Sequence, residues 1–200
     1  MIFFAGHHNA GKSTAAKYLK ERYGFIHVET SSIVKAVHQQ VAPHLNLNEW
    51  AESIFHNFDP CIAEEICRER AKILTDCNLT PDIIVTGNRQ VCGIQYVMEH
   101  VPPFPGTEHV VVYIDTPERL LYERHLNRPD RPGSRLNFNE FRESLLAFDR
   151  KMGVEEIKKI ASVIVVNNGT ESRFLQEMTG ALRRKGYTLP EGRVKGEYEN

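Results

Sequence analysis

Two hundred residues, 41% of them hydrophobic and 26% charged, suit one domain with a buried core. A formal net charge of -1 argues against a nucleic-acid partner, whose footprint is strongly basic. No apolar run reaches the length of a membrane span, so the expectation is a soluble protein without a membrane partner.

The chain opens on Met1-Ile2-Phe3-Phe4-Ala5-Gly6, too short and uncharged for a signal peptide, and reads as a strand in a cytoplasmic protein. Gly6-His7-His8-Asn9-Ala10-Gly11-Lys12-Ser13 follows at once, fitting Gly-x-x-x-x-Gly-Lys-Ser between that strand and a helix with Ala15, Ala16 and Leu19 on one side. The chemistry needs this pattern. Glycines let backbone N–H groups turn inward around phosphates, which also meet the positive end of the following helix. Gly6, Asn9, Ala10, Gly11, Lys12, Ser13 and Thr14 are thus expected to hold ATP, with Lys12 on the β- and γ-phosphates and Ser13 on Mg²⁺. His7 and His8 fill variable loop positions and are expected to be exposed.

Further along, short apolar runs alternate with helical stretches, the pattern of βαβ units in an α/β parallel sheet. The expected strands are 2–5, 25–28, 83–86, 110–114 and 163–166. The last two are unalternated β-branched runs, as in strands buried on both faces. Asp59-Pro60 should open a helix running to about Thr75, and Thr116-Pro117 repeats that device. Asn137 and Glu140 form a capping box, after which Phe138, Phe141, Leu145, Phe148 and Met152 fall on one helical face. Phe174, Leu175, Met178 and Leu182 give the last helix its apolar stripe. Residues 102–106 and 127–135 read as loops, and the chain after Gly186 as a polar, loosely held tail.

Cys61, Cys67, Cys77 and Cys92 form no C-x-x-C pair and are read as small apolar residues. Trp50, in a stripe with Leu47, Ile54 and Phe55, is read as core rather than base platform. His38, His44 and His56 lack the i, i+4 spacing of a zinc pair. Where a GTPase carries its base-reading Asn-Lys-x-Asp, this chain has Asn167-Asn168-Gly169-Thr170. Basic residues that suit phosphoryl transfer remain: Lys35, Arg89, and Arg119, Arg124, Arg128, Arg131 and Arg135 around the turn-rich connection.

These features together resemble the nucleoside monophosphate kinase superfamily, which includes adenylate kinase and dephospho-CoA kinase. Thr30 to Val37 is similar to the stretch whose arginine grips the acceptor phosphate, with Lys35 in that place. Gly87-Asn88-Arg89 resembles the turn whose arginine holds the same phosphate. Asp115-Thr116-Pro117 with Leu120, Arg124 and Arg128 resembles the lead into the lid, and Asn167-Asn168-Gly169-Thr170 an adenine-side loop. The resemblance implies a P-loop three-layer sandwich, sheet order 2-3-1-4-5, in one domain spanning 1–186. An acceptor-binding insert at about 31–77, a lid at about 127–136 and a tail at 187–200 complete that organisation. It implies ATP and Mg²⁺ as cofactors and a small-molecule phosphate acceptor, foremost a nucleoside or deoxynucleoside monophosphate, in a monomer or homodimer. Lys12, Arg124, Arg128 and Arg131 would be catalytic, Arg124, Asn168 and Gly169 would help bind nucleotide, and Lys35, Arg89 and Glu29 would bind acceptor.

Two departures stand out. Relatives commonly end the third strand on an aspartate that orients the Mg²⁺ water shell, where this chain has Thr86. Asp82 lies about 13 Å back by strand rise, leaving Glu29 or Asp115 as substitutes. Lysine at Lys35 also gives up the bidentate geometry of arginine. The alternatives are therefore a dephospho-CoA kinase-like enzyme, in which a carboxylate such as Glu29 assists a hydroxyl, or a nucleotide-binding regulator without kinase activity.

Overall fold

A computed structural model gives the architecture and describes residues 1–76, 82–103, 106–127 and 136–189. The expected lid residues Arg128, Arg131 and Arg135, together with Cys77, Phe104, Pro105 and residues 190–200 of the tail, lie outside the described residues. No described helix is long and apolar enough to cross a membrane.

Five parallel strands, β1 (Ile2–Ala5), β2 (Ile26–Glu29), β3 (Ile83–Thr86), β4 (Val110–Asp115) and β5 (Val163–Val166), pair in the order β2-β3-β1-β4-β5, as expected. The helices are α1 (Lys12–Tyr23), α2 (Thr30–Val41), α3 (Leu47–His56), α4 (Cys61–Asp76), α5 (Val91–His100), α6 (Glu118–Leu126), α7 (Phe138–Phe141), α8 (Ala147–Lys151), α9 (Val154–Ile160) and α10 (Glu171–Arg184). A π-helical segment, Arg142–Leu146, joins α7 to α8.

β1 is central and buried on both faces, so its side chains divide the core in two. Ile2 and Phe4 join Leu19, Leu121, Phe174 and Met178 on one face, while Phe3 and Ala5 join Ile33, Trp50, Ile66, Ile94 and Ile157 on the other. Trp50 thus closes the small lobe from within, as its apolar neighbours suggested. Because the strands run parallel and in register, Gly6, Glu29, Thr86, Asp115 and Asn167 all emerge at one edge of the sheet, where α/β sheets place their sites.

Several local expectations change. β2 runs one residue later than expected, which carries Glu29 to the strand end opposite Thr86. β5 alternates instead of being buried on both faces: Val163 and Val165 face α10, whereas Ile164 and Val166 are about half exposed. The reason is its place at the sheet edge, with α9 packed over β1 and β4. Asp59 Oδ1 accepts from the Cys61 N–H as an N-cap should, but Thr116 does not repeat the device. Its hydroxyl donates instead to the Ala10 carbonyl, 3.3 Å away.

The chain after Gly186 is not loose at its start. Tyr187 and Leu189 are buried, and the Tyr187 hydroxyl lies 3.0 Å from the Met1 carbonyl and 2.8 Å from that of Glu108. An aromatic body with a polar tip suits such a site. The capping box at Asn137 and Glu140 forms as expected. The helical face that follows forms in part: Phe141 and Met152 are buried as expected, but between them the wider π turn shifts the register by one residue. Leu146 and Asp149 turn inward, and Leu145 and Phe148 move to the wall of a cleft.

Candidate active site

The loop between β1 and α1 is held open by backbone conformations with positive φ: 139° at Gly6, 64° at Asn9 and 108° at Gly11. Two of these demand glycine for space as well. A Cβ on Gly6 would lie 2.6 Å from the Ile114 carbonyl oxygen, and one on Gly11 2.6 Å from the Asn167 amide. Lys12 Nζ donates to the Gly6 and His7 carbonyls at 2.7 Å each, so the ammonium sits at the loop itself.

A polar buttress stands behind the loop. The Ala10 carbonyl accepts from Asn167 Nδ2 at 2.8 Å, from Thr116 Oγ1 at 3.3 Å and from Arg124 at 3.3 Å. Arg124 also donates to the Asn9 carbonyl at 3.2 Å and to Asn167 Oδ1 at 2.9 Å. Its guanidinium therefore ties the loop to the end of β5, with its edge open to the cleft. Of the Asn-Asn-Gly turn, Asn167 is buried against the loop and Gly169 lines the cleft, whereas Asn168 is exposed and does not line it. Sequence pattern singled out Asn168 and missed Asn167. The signal for Asn167 was its place at the end of a strand next to the P-loop strand's partner.

A cleft of about 1160 Å³ runs from this loop to α2 and α3. Ser13 and Thr14 line its end at the loop. Glu29, Thr30, Lys35, Leu47, Phe55, Arg89 and Phe148 line the rest. Thr86 Oγ1 donates to Glu29 Oε2 at 2.6 Å and contacts His27 Nε2 at 2.7 Å. A carboxylate from the neighbouring strand thus stands beside the end of β3. Asp115 pairs with Lys158 at 2.7 Å and lies away from the cleft lining. Thr30, although buried, has a hydroxyl at the cleft wall with no hydrogen-bond partner among the described residues.

The largest correction concerns His7 and His8. Their side chains are only 13% and 19% exposed, because α8 lies over them. Asp149, 2% exposed, accepts from the His8 N–H at 2.7 Å, and His8 Nδ1 lies 2.8 Å from the same oxygen. His7 Nδ1 is 3.5 Å from it, and His7 Nε2 3.4 Å from Glu155 Oε1. On its far side, His8 Nε2 faces Arg89 at 3.1 Å, and the Arg89 guanidinium lies 4.8 Å over the Phe148 ring. Burial opposes ionisation of Asp149, but the contacts from His7 and His8 outweigh it and hold the carboxyl well below the usual carboxylate range. Burial pushes His8 below the ordinary histidine value, with Arg89 and Lys12 adding to that and Asp149 opposing it. The site therefore carries an ionised aspartate beside a neutral imidazole. Nothing in the sequence near His8 announced Asp149, which lies 141 residues away.

The family model that matches residues 1–150 is described as an AAA domain. No curated protein matches the sequence. Among solved structures, the protein TT1252 from Thermus thermophilus is 16% identical, with a TM-score of 0.63 over 94% of this chain and 97% of that one. A gluconokinase from Sinorhizobium meliloti 1021 is 16% identical, with a TM-score of 0.60 over 92% of each chain. A shikimate kinase from Acinetobacter baumannii, solved in complex with shikimate, is also 16% identical, with a TM-score of 0.58 over 94% of each chain. At these identities the likeness is one of fold, that of P-loop small-molecule kinases.

Proposed function

This chain belongs to the AAA-domain family, and from that premise we propose that it is an ATP- and Mg²⁺-dependent phosphotransferase acting on a small acceptor. One observation carries the reading: the phosphate loop and the Lys35–Arg89 pair open onto the same cleft, at the carboxyl ends of the strands. A donor and an acceptor bound there would be neighbours, which is what transfer requires.

The residues fit the donor. Glycines at positions a Cβ would fill let the loop's backbone come close to phosphates, although the His8 N–H is already taken by Asp149, and Lys12 stands at its mouth. Ser13, at the donor end of the cleft, would hold Mg²⁺, which neutralises phosphate charge when bound. Lys12 would turn from the Gly6 and His7 carbonyls to the β- and γ-phosphates. Arg124 anchors the loop and offers its edge to the nucleotide, with Gly169 on the same side. Arg128 and Arg131 belong to this reading as the lid's contribution.

On the acceptor side, Lys35 and Arg89 provide the cations and Thr30 a hydroxyl unpaired among the described residues, so the acceptor is anionic, foremost a nucleoside or deoxynucleoside monophosphate. A second reading, transfer to a hydroxyl as in dephospho-CoA kinase, is favoured by the Glu29 carboxylate in the cleft wall. The gluconokinase and shikimate kinase among its structural neighbours agree with an acceptor outside the nucleotides.

ADP release, followed with a panel of nucleoside monophosphates, deoxynucleotides, dephospho-CoA and small hydroxy acids, tests the proposal. At least one acceptor is expected to raise it well above the ATP-only rate. A uniform background rate across the panel would refute the kinase reading.

A further inference from the structure

His8, Asp149 and Arg89 form a chain that loop binding alone does not require. Arginine has only donors, so the Arg89 contact obliges His8 Nε2 to be the acceptor nitrogen. The imidazole proton then sits on Nδ1, 2.8 Å from Asp149 Oδ2 but off the line of a hydrogen bond, so the carboxylate acts on the ring as a close charge and is fixed there by the His8 backbone N–H. A buried carboxylate beside Nδ1 and an unprotonated Nε2, covered by Arg89 at a cleft beside the phosphate loop, place the ring as a general base would be placed. Lys12 and Arg89 flank the ring from α1 and from the turn after β3. His7 lies beside it in the loop, and His7 in turn meets Glu155 of α9.

Resting on the phosphotransferase reading above, we propose that His8, oriented by Asp149, is the base that takes the proton from an acceptor hydroxyl, and that this acceptor also carries an anionic group that draws Arg89 off the ring. The receiving atom is then a hydroxyl oxygen, and the substrate class is the anionic alcohols: hydroxy acids, or sugar and nucleoside phosphates accepting at a hydroxyl. The step balances. The acceptor O–H bond breaks and its proton passes to His8 Nε2. The freed electron pair forms the bond to the γ-phosphorus. The bond from that phosphorus to the β,γ-bridging oxygen breaks, its electron pair leaves with ADP, and the imidazolium, facing Asp149, later returns its proton to water. Arg89 doubles as a gate: without an anion to hold, it covers Nε2, which keeps the base from activating water.

The test needs one readout free of turnover. Nitrogen-15 NMR of the histidine rings should find His8 in the Nδ1–H tautomer at neutral pH, shifting toward Nε2–H in Asp149→Asn. An Nε2–H tautomer or an imidazolium in the unaltered protein would overturn the proposal. For turnover, 5′-AMP, 2′,3′-dideoxy-AMP, adenosine and glycerate are compared. Acceptance is expected only where hydroxyl and anion occur together, with phosphorus NMR showing a monoester. Transfer to dideoxy-AMP, giving a phosphoanhydride, would overturn the hydroxyl assignment while leaving the kinase intact. His8→Ala should lower kcat by about 10²–10⁴-fold, flatten the acid limb of the pH profile and regain activity with added imidazole. Full kcat in His8→Ala, or loss of the acid limb only in Glu29→Gln, would overturn the role of His8. ADP release that no acceptor raises would overturn both this inference and the kinase reading.

Discussion

The proposed donor and acceptor halves of the cleft are built by different means. The donor half is a backbone construction: eight consecutive residues, Gly6 to Ser13, supply the concave N–H surface, the cation and the helix end. The acceptor half is assembled from side chains on separate elements, Glu29 from β2, Lys35 from α2, Phe55 from α3, Arg89 from the turn after β3 and Asp149 from α8. A backbone site is specified by where glycines must stand. A side-chain site is specified by packing at long range, so it changes readily while the fold persists.

If that contrast is right, the largest effect belongs to the donor half. Lys12→Ala should cut turnover about 10²–10³-fold with every acceptor alike, since it removes charge stabilisation common to all of them. Initial rates with two unrelated acceptors check this, and a loss confined to one of them would break the division. Arg89→Ala should instead raise the acceptor KM about 10–100-fold, the worth of charged hydrogen bonds, and leave ATP binding near its original value. Titration with ATP beside acceptor kinetics decides. A variant that loses ATP affinity first would move Arg89 to the donor side.

The junction between the halves should announce itself in acid. Asp149 has a folded value below its ordinary 3.8, so its stabilisation is present above about pH 4 and is lost as pH falls through the folded value. His8 is held below its ordinary 6.5, so acidification below that value charges the unfolded chain first and already favours unfolding. Urea midpoints across pH should therefore fall in two stages, and Asp149→Asn should lose the lower one. Parallel curves for the two proteins below pH 4 would tell against the ionised aspartate. The smallest effect is expected across the mouth of the cleft, where Lys151 on α8 meets Glu52 on α3 at 2.7 Å. Both side chains are well exposed, so Glu52→Ala should shift unfolding by less than about 1 kcal/mol. A larger shift, measured by thermal melting, would mean that the two walls are more tightly joined than an exposed pair allows.

The same contrast explains what could be read in advance. All five strands, to within a residue at either end, and the whole phosphate loop follow from local signals: apolar runs, glycine spacing and the lysine before a helix; the sheet order came with the family resemblance. β5 misled because a β-branched run does not say whether it lies at an edge, and burial there depends on where α9 packs. Tyr187 misled because polar neighbours hid a long-range pair of carbonyls. Asn167 and Asp149 were missed for the same reason: each acts on a loop more than 140 residues away. That Glu29 stands beside Thr86 is legible because parallel register places strand ends side by side.

The π segment at Arg142–Leu146 has a consequence for how such a site arises. Side chains on a helix advance by about 100° per residue, so one extra residue in a turn re-aims everything downstream. The wider turn thus sets the direction in which Asp149 leaves the helix. Deletion of one residue within the segment would restore an ordinary turn and swing the aspartate off the histidines, taking with it the acceptor that holds the His8 N–H of the phosphate loop.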